Sequence, residues 1–97
     1  MILVRIVMRA KQGTVNKMVA DMKEMTKDAP NRPQILTDLS GPFNTVVLET
    51  KFESLAAYET WRAEFFNSEQ FQDDNAERDE MLEGGSTEFY TIEQEYM

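Results

Sequence analysis

Residues 35–55 read ILTDLSGPFNTVVLETKFESL and contain the signals that decide the fold. Residues 35–39 and 43–52 are rich in β-branched and apolar side chains, which favours two strands. The Ser40-Gly41-Pro42 segment between them favours a turn, so the two strands are expected to form an antiparallel hairpin. Ser54 then has the side chain of a helix N-cap, and a helix is expected to begin just after it.

The segments on either side of this hairpin extend the pattern. Residues 2–9 form a short apolar run typical of a strand, and apolar residues at helical spacing over 15–25 predict a helix with Thr14 as its N-cap. The second helix is expected to break at residues 67–70 and to continue as an acidic segment that stops at Gly84-Gly85. Residues 86–96 then alternate in the manner of a strand.

The predicted order is therefore β-α-β-β-α-β, the order of ferredoxin-like α+β folds. Right-handed crossovers place the first and third strands side by side and both helices on one face of a four-stranded antiparallel sheet. The other face would be bare. Its apolar candidates are Leu3, Val7, Val47 and Phe89. Dimerisation by packing one such face on another is the simplest way to cover them.

The composition indicates one folded domain over residues 1–97, with 41% hydrophobic and 29% charged residues. The chain has no Cys and no His, which excludes thiolate nucleophiles, imidazole bases, Cys/His zinc sites and His-ligated haem. The acidic pairs of residues 73–80 lack the spacing of a calcium loop. We therefore expect no metal and no cofactor, and the lack of Cys agrees with a cytoplasmic location.

The net charge of −8 is unevenly distributed. Residues 1–33 carry seven basic and three acidic side chains, a balance of +4, whereas residues 34–97 carry three basic and fifteen acidic ones, a balance of −12. Nucleic acid is not an expected partner, because most of the chain would repel a polyanion. A membrane partner is not expected either, since the apolar N-terminal run is interrupted by Arg5 and Arg9 and is too short to span a bilayer.

Several segments give the chain a family resemblance: residues 4–13, the hairpin over 39–43, the run 46–49 leading through 52–55 into an aromatic helix, and residues 61–66. In these the chain resembles the dimeric α+β barrel superfamily, and within it the NIPSNAP-like and antibiotic-biosynthesis-monooxygenase-like small proteins. The resemblance implies a homodimer with a pocket between helices and sheet. Some relatives are cofactor-free oxygenases of polycyclic aromatic substrates, and others degrade haem by means of a histidine that this chain lacks.

The aromatic residues Tyr58, Trp61 and Phe65 lie at helical spacing and are the first candidate for a pocket wall. Their large apolar surfaces, with a hydroxyl and an indole N–H, suit a small aromatic ligand, for which we expect a closed cavity beside Trp61. The alternative is that this stripe is simply the core-facing side of the helix. The resemblance adds Tyr90 and Asn44, because tyrosine, tryptophan and asparagine line the pockets of aromatic oxygenases.

Arg5 and Glu49 are the second candidate. If the first and third strands are neighbours, the two side chains can share a sheet face, and their ion pair would either orient a substrate or fix the register of the dimer. The structural role is the simpler one.

These features together predict a homodimer that binds a small, mostly apolar or aromatic molecule, with cofactor-free oxygenation or isomerisation as the chemistry that such a pocket would support. The alternative is a non-enzymatic regulatory or interaction module in which the acidic second half binds a basic protein partner.

Overall fold

The computed structural model describes residues 1–67 and 80–95, except for the side chain of Phe66. The elements follow in the order β1 (Ile2–Ala10), α1 (Val15–Thr26), β2 (Gln34–Thr37), β3 (Thr45–Phe52), α2 (Leu55–Phe66) and β4 (Leu82–Thr91). The predicted βαββαβ order is confirmed. Most of the predicted acidic segment, residues 68–79, lies outside the described residues.

The four strands form one antiparallel sheet in the order β2-β3-β1-β4. β1 is therefore central and pairs with β3 on one side and β4 on the other, as the right-handed crossovers predict. The register places Ile2 opposite Phe52 at one end of the β1–β3 pair and Arg9 opposite Thr45 at the other.

Both helices pack on the same face of the sheet, again as predicted. The core has two parts, one under each helix. The part under α1 contains Ala10, Met18, Val46 and Met81, and the part under α2 contains Val4, Phe52 and Tyr58. Alternation along β1 puts Ile2, Val4, Ile6 and Met8 on this covered face, so the intervening residues of β1 lie on the open face.

The two predicted N-caps behave differently. The Oγ of Ser54 accepts a hydrogen bond from the backbone N–H of Ala57 at 3.1 Å, so this cap is confirmed. Thr14 occupies the position before α1, but its hydroxyl donates to the carbonyl of Lys11 at 2.6 Å and makes no cap bond. Its backbone is near-helical, whereas a capping residue is normally extended, and this directs the side chain back into the preceding turn.

The prediction that Gly84-Gly85 ends a helix is wrong, because both glycines lie within β4. Gly85 pairs with Met8, and a Cβ at this position would lie 2.5 Å from the backbone carbonyl oxygen of Val7. Gly85 therefore permits a close approach of β4 to β1, and close approach of two backbones is a common reason for glycine within a strand.

The connection between β2 and β3 is longer than predicted and spans residues 38–44. The N–H of Thr45 donates to the Asp38 carboxylate at 3.1 Å, and the Thr45 hydroxyl donates to the Pro42 carbonyl at 2.8 Å. Asn44 has a φ of 63°, the left-handed conformation that asparagine tolerates better than most residues. Asn44 thus belongs to the turn and not to the strand.

The open face contains Leu3, Val7 and Val47, as predicted, but not Phe89. Phe89 is opposite Val4 in the β1–β4 register, so it lies on the helix-covered face. Its ring contacts Tyr58 of α2 edge-on, with centroids 5.2 Å apart. The sequence shows the two-residue period of β4 but not which phase faces the helices, and a shift of one residue exchanges the two faces.

Candidate functional site

An aromatic cluster occupies the space between α2 and the ends of β3 and β4. Phe52 lies at its centre, with ring centroids 5.5 Å from Tyr58 and 5.7 Å from Trp61. Trp61 stacks on Phe65 at 5.3 Å with 18° between the ring planes, and Phe89 closes the other side of Tyr58. Phe52 and Tyr58 are buried in the core. Tyr58 therefore belongs to the core-facing side of α2, which was the alternative to a pocket wall.

The outer side of this cluster opens into a groove of about 470 Å³ beside Trp61. The groove runs between α2 and the loop that follows α1, and it is open to solvent, unlike the closed cavity expected for an aromatic ligand. Its lining combines an apolar floor with a polar rim: Met1, Phe52, Ala57 and Trp61, then Asn31, Lys51, Glu53, Thr60 and Glu64. Four of these nine residues are apolar and five are polar or charged, so the groove offers a small ligand both apolar contact and polar partners.

The five residues proposed for the pocket do not come together. Tyr58, Trp61 and Phe65 share the aromatic cluster, but Tyr90 is opposite Leu3 and therefore lies on the open face of the sheet. The carbonyl of Asn44 accepts a hydrogen bond from the N–H of Ala10, at the far end of β1 from the cluster. The eight residue steps from Ile2 to Ala10 correspond to roughly 25 Å along β1, so Asn44 is well separated from the aromatic cluster.

Arg5 and Glu49 are brought together in the middle of the open face. They are opposite each other in the β1–β3 register, and Nε of Arg5 lies 3.3 Å from Oε2 of Glu49. The distance is that of an ion pair, but the N–H is not aimed at the carboxylate. Nε is thus buried without a hydrogen-bond acceptor among the described residues.

Glu88 joins this pair from the other side, and sequence reasoning missed it. It is opposite Arg5 in the β1–β4 register, with Oε1 3.9 Å from Nη1. The Tyr90 hydroxyl donates to the same Oε1 at 3.2 Å. Glu88 could have been identified only by knowing which alternate residues of β4 lie on the open face, because those are the side chains that lie beside Arg5. We call Arg5, Glu49, Glu88 and Tyr90 the charge network. The side chains of Arg5, Glu49 and Glu88 are 36%, 23% and 40% exposed, respectively.

An apolar row crosses the open face beside the charge network. Leu36, Val47 and Val7 are opposite one another on β2, β3 and β1. Leu36 is 38% exposed and Tyr90 is 46% exposed, so large apolar surfaces of this face are in contact with water. The open face therefore combines an apolar row with a network of partly buried charges.

Within residues 1–67 and 80–95, no group of three or more acidic side chains is placed to hold a metal ion. Among the same residues, no helix is long and apolar enough to cross a membrane.

Comparison with known proteins supports the fold. No protein-family model matches the chain. No curated protein matches it either. Solved structures do match over nearly the whole chain. A NIPSNAP family protein from Agrobacterium tumefaciens has a TM-score of 0.82 at 15% identity, covering 93% of this chain and 90% of its own. An uncharacterised NIPSNAP domain protein from Burkholderia xenovorans has a TM-score of 0.79 at 20% identity, covering 94% and 93%.

A candidate antibiotic biosynthesis monooxygenase from Deinococcus radiodurans matches with a TM-score of 0.70 at 11% identity, covering 100% of this chain and 97% of its own. The predicted resemblance to NIPSNAP-like and monooxygenase-like proteins is thus confirmed for the fold. The chain has the ferredoxin-like α+β fold of these proteins, and identities this low carry no activity over to it.

Proposed function

We propose that this protein is a homodimer that binds a small, mostly apolar or aromatic molecule in the groove beside Trp61, in the cytoplasm. The observation that carries the proposal is the groove itself. It places the partly exposed indole ring of Trp61 beside a floor formed by Phe52 and Ala57. A flat ligand can bury apolar surface there while its polar groups meet the rim, which is how small-molecule sites combine affinity with orientation.

Trp61 provides a direct test, because it is the only tryptophan of the chain. Its indole N–H gives a single NMR resonance. Titration with naphthalene-type and phenyl-type compounds should shift this resonance in a saturable way. The variant Ala57→Leu, which fills the groove floor, should abolish the shift. Ala56→Leu adds the same side chain to α2 at an exposed position outside the groove and should leave it unchanged. A shift that survives Ala57→Leu would contradict binding in this groove.

The homodimer rests on the open sheet face. Its strands carry three cations, Arg5, Arg9 and Lys51, and the two carboxylates Glu49 and Glu88, and Glu95 after β4 forms an ion pair with Lys51. This face is therefore close to neutral in a chain of net charge −8, so two copies can meet here without the repulsion that their acidic surfaces would cause. Its apolar row supplies the hydrophobic contact. Sedimentation equilibrium should show a dimer at micromolar concentration, and a monomer throughout would contradict the proposal.

Catalysis is a narrower proposal. The fold similarity to the monooxygenase-like protein of Deinococcus radiodurans motivates tests of cofactor-free oxygenation and of isomerisation. Both reactions would need a substrate held in the groove, so the binding experiment comes before any assay of turnover.

An interaction module remains the second candidate, and one observation favours it. Leu39 and Phe43 are fully or almost fully exposed on the β2–β3 loop, which its hydrogen bonds hold in place. Exposed apolar side chains on an ordered loop are typical of contact sites. Capture of a basic protein partner that weakens with salt and with Glu80→Lys would support this function, whereas insensitivity to both would count against it.

A further inference from the structure

The charged groups around the groove beside Trp61 restrict the ligands that it can take. Two carboxylates, Glu53 and Glu64, lie on its rim, and both are exposed. Within the described residues neither of them forms an ion pair. A carboxylate accepts hydrogen bonds and donates none, so these groups favour a ligand that brings N–H or O–H donors.

The cation on the rim is already engaged. The register places the Lys51 side chain on the open face of the sheet, where its ammonium group forms an ion pair with the Glu95 carboxylate and is not free to meet a ligand in the groove. Met1 also lines the groove. Glu53 and Glu64 therefore give the groove rim a negative charge, in a molecule that carries −8 overall. The local charge and the field of the whole protein thus have the same sign.

The indole ring of Trp61 supplies aromatic surface at the groove. An indole ring has a negative electrostatic potential over its face and binds ammonium groups better than the other aromatic side chains do. Phe65 stacks on one face of this ring, and the Tyr58 ring lies beside it with centroids 6.1 Å apart, which holds the indole in one orientation beside the rim. A ligand with an aromatic ring and a nearby ammonium group can therefore satisfy the apolar floor, the indole and the carboxylates together.

We infer that the groove selects aromatic amines in their protonated, cationic form and discriminates against aromatic carboxylates and phenolates. The inference rests on the proposed function, since it assigns a ligand class to the same groove. The inference also bears on chemistry, because a reaction that begins from a phenolate anion would place that anion beside two carboxylates, whose like charge disfavours it.

Three probes of similar size test the inference: 2-phenylethylammonium, neutral 2-phenylethanol and 3-phenylpropanoate, each titrated while the Trp61 indole resonance is followed. The ammonium compound should bind roughly tenfold more tightly than the carboxylate at low salt, and the ratio should fall as salt is added. Glu64→Gln should weaken binding of the ammonium compound and leave 2-phenylethanol unchanged. Glu59→Gln removes the same charge from α2 outside the groove and is the matched control.

The outcomes separate the two proposals. Equal or tighter binding of 3-phenylpropanoate would overturn the cation preference while leaving ligand binding in place. The cation preference would also be overturned if 2-phenylethanol and the ammonium compound bound equally well and Glu64→Gln changed neither affinity. If none of the three probes, nor any naphthalene-type compound, shifts the Trp61 resonance, the proposed function fails and the inference fails with it.

Discussion

Replacing Arg5 with methionine tests the open face most sharply. Methionine keeps a long apolar side chain but removes the cation that lies between Glu49 and Glu88. In an isolated chain these groups are between a quarter and two fifths exposed, and water screens their interaction. An ion pair of this kind contributes about 0–1 kcal/mol, so Arg5→Met should change the unfolding free energy of the monomer by no more than that.

The expected effect is much larger if a second copy covers the face. Glu49 would then lie in the interface without its cation, and removing one partner of a buried ion pair costs roughly 3–5 kcal/mol. Because about 1.4 kcal/mol corresponds to a factor of ten, the dissociation constant of the dimer should rise at least about 100-fold. The two-fold symmetry of a dimer places the same defect in both chains, so this is a lower limit.

Sedimentation equilibrium over a range of protein concentrations measures this change. Lys17→Met, which removes a cation from the exposed Lys17–Asp21 pair on α1, is the control and should leave dimerisation unchanged. The double variant Arg5→Met/Glu49→Gln should recover part of the lost affinity, because it also removes the unpaired carboxylate. A dissociation constant within about threefold of the wild-type value for Arg5→Met would refute the reasoning.

Three further predictions concern the fold that positions the groove and the open face. Gly85→Ala should destabilise the protein by about 1–3 kcal/mol in urea unfolding, because the added Cβ would meet the backbone of Val7 at 2.5 Å; an effect as small as that of Ser86→Ala would mean that β4 is not in this register. Ser54→Ala should cost about 1 kcal/mol through loss of the α2 cap, seen as a lower thermal midpoint, and an unchanged midpoint would argue against the cap. Val46→Ala should cost roughly 2–3 kcal/mol in the same urea experiment, since Val46 is fully buried under α1; a cost below about 0.5 kcal/mol would place it outside the core.

The element order and the covered face of β1 could be predicted from sequence, since both depend on local patterns. Alternation along β1 and helical spacing along α1 each define one apolar face, and the chirality of crossovers then places both helices on the same side. The cap at Ser54 is equally local. These features need no knowledge of which residues meet across the sheet.

The candidate site was harder to predict, because it depends on register and on loop conformation. The phase of β4 decides that Phe89 joins the aromatic cluster and that Glu88 and Tyr90 join Arg5, and a two-residue period alone does not give that phase. Asn44 was predicted to be in a strand but lies in a turn at the other end of the sheet. Glycine pairs occur both at helix ends and at close strand contacts, so the role of Gly84-Gly85 could not be read from composition.

Native mass spectrometry of the protein purified from its own host tests the central claim most directly, because it reports the assembly and the bound molecule in one measurement. We expect a dimer with the added mass of a small aromatic amine. A monomer would contradict the proposed role of the open sheet face, and a dimer without any added mass would contradict a ligand held in the groove beside Trp61.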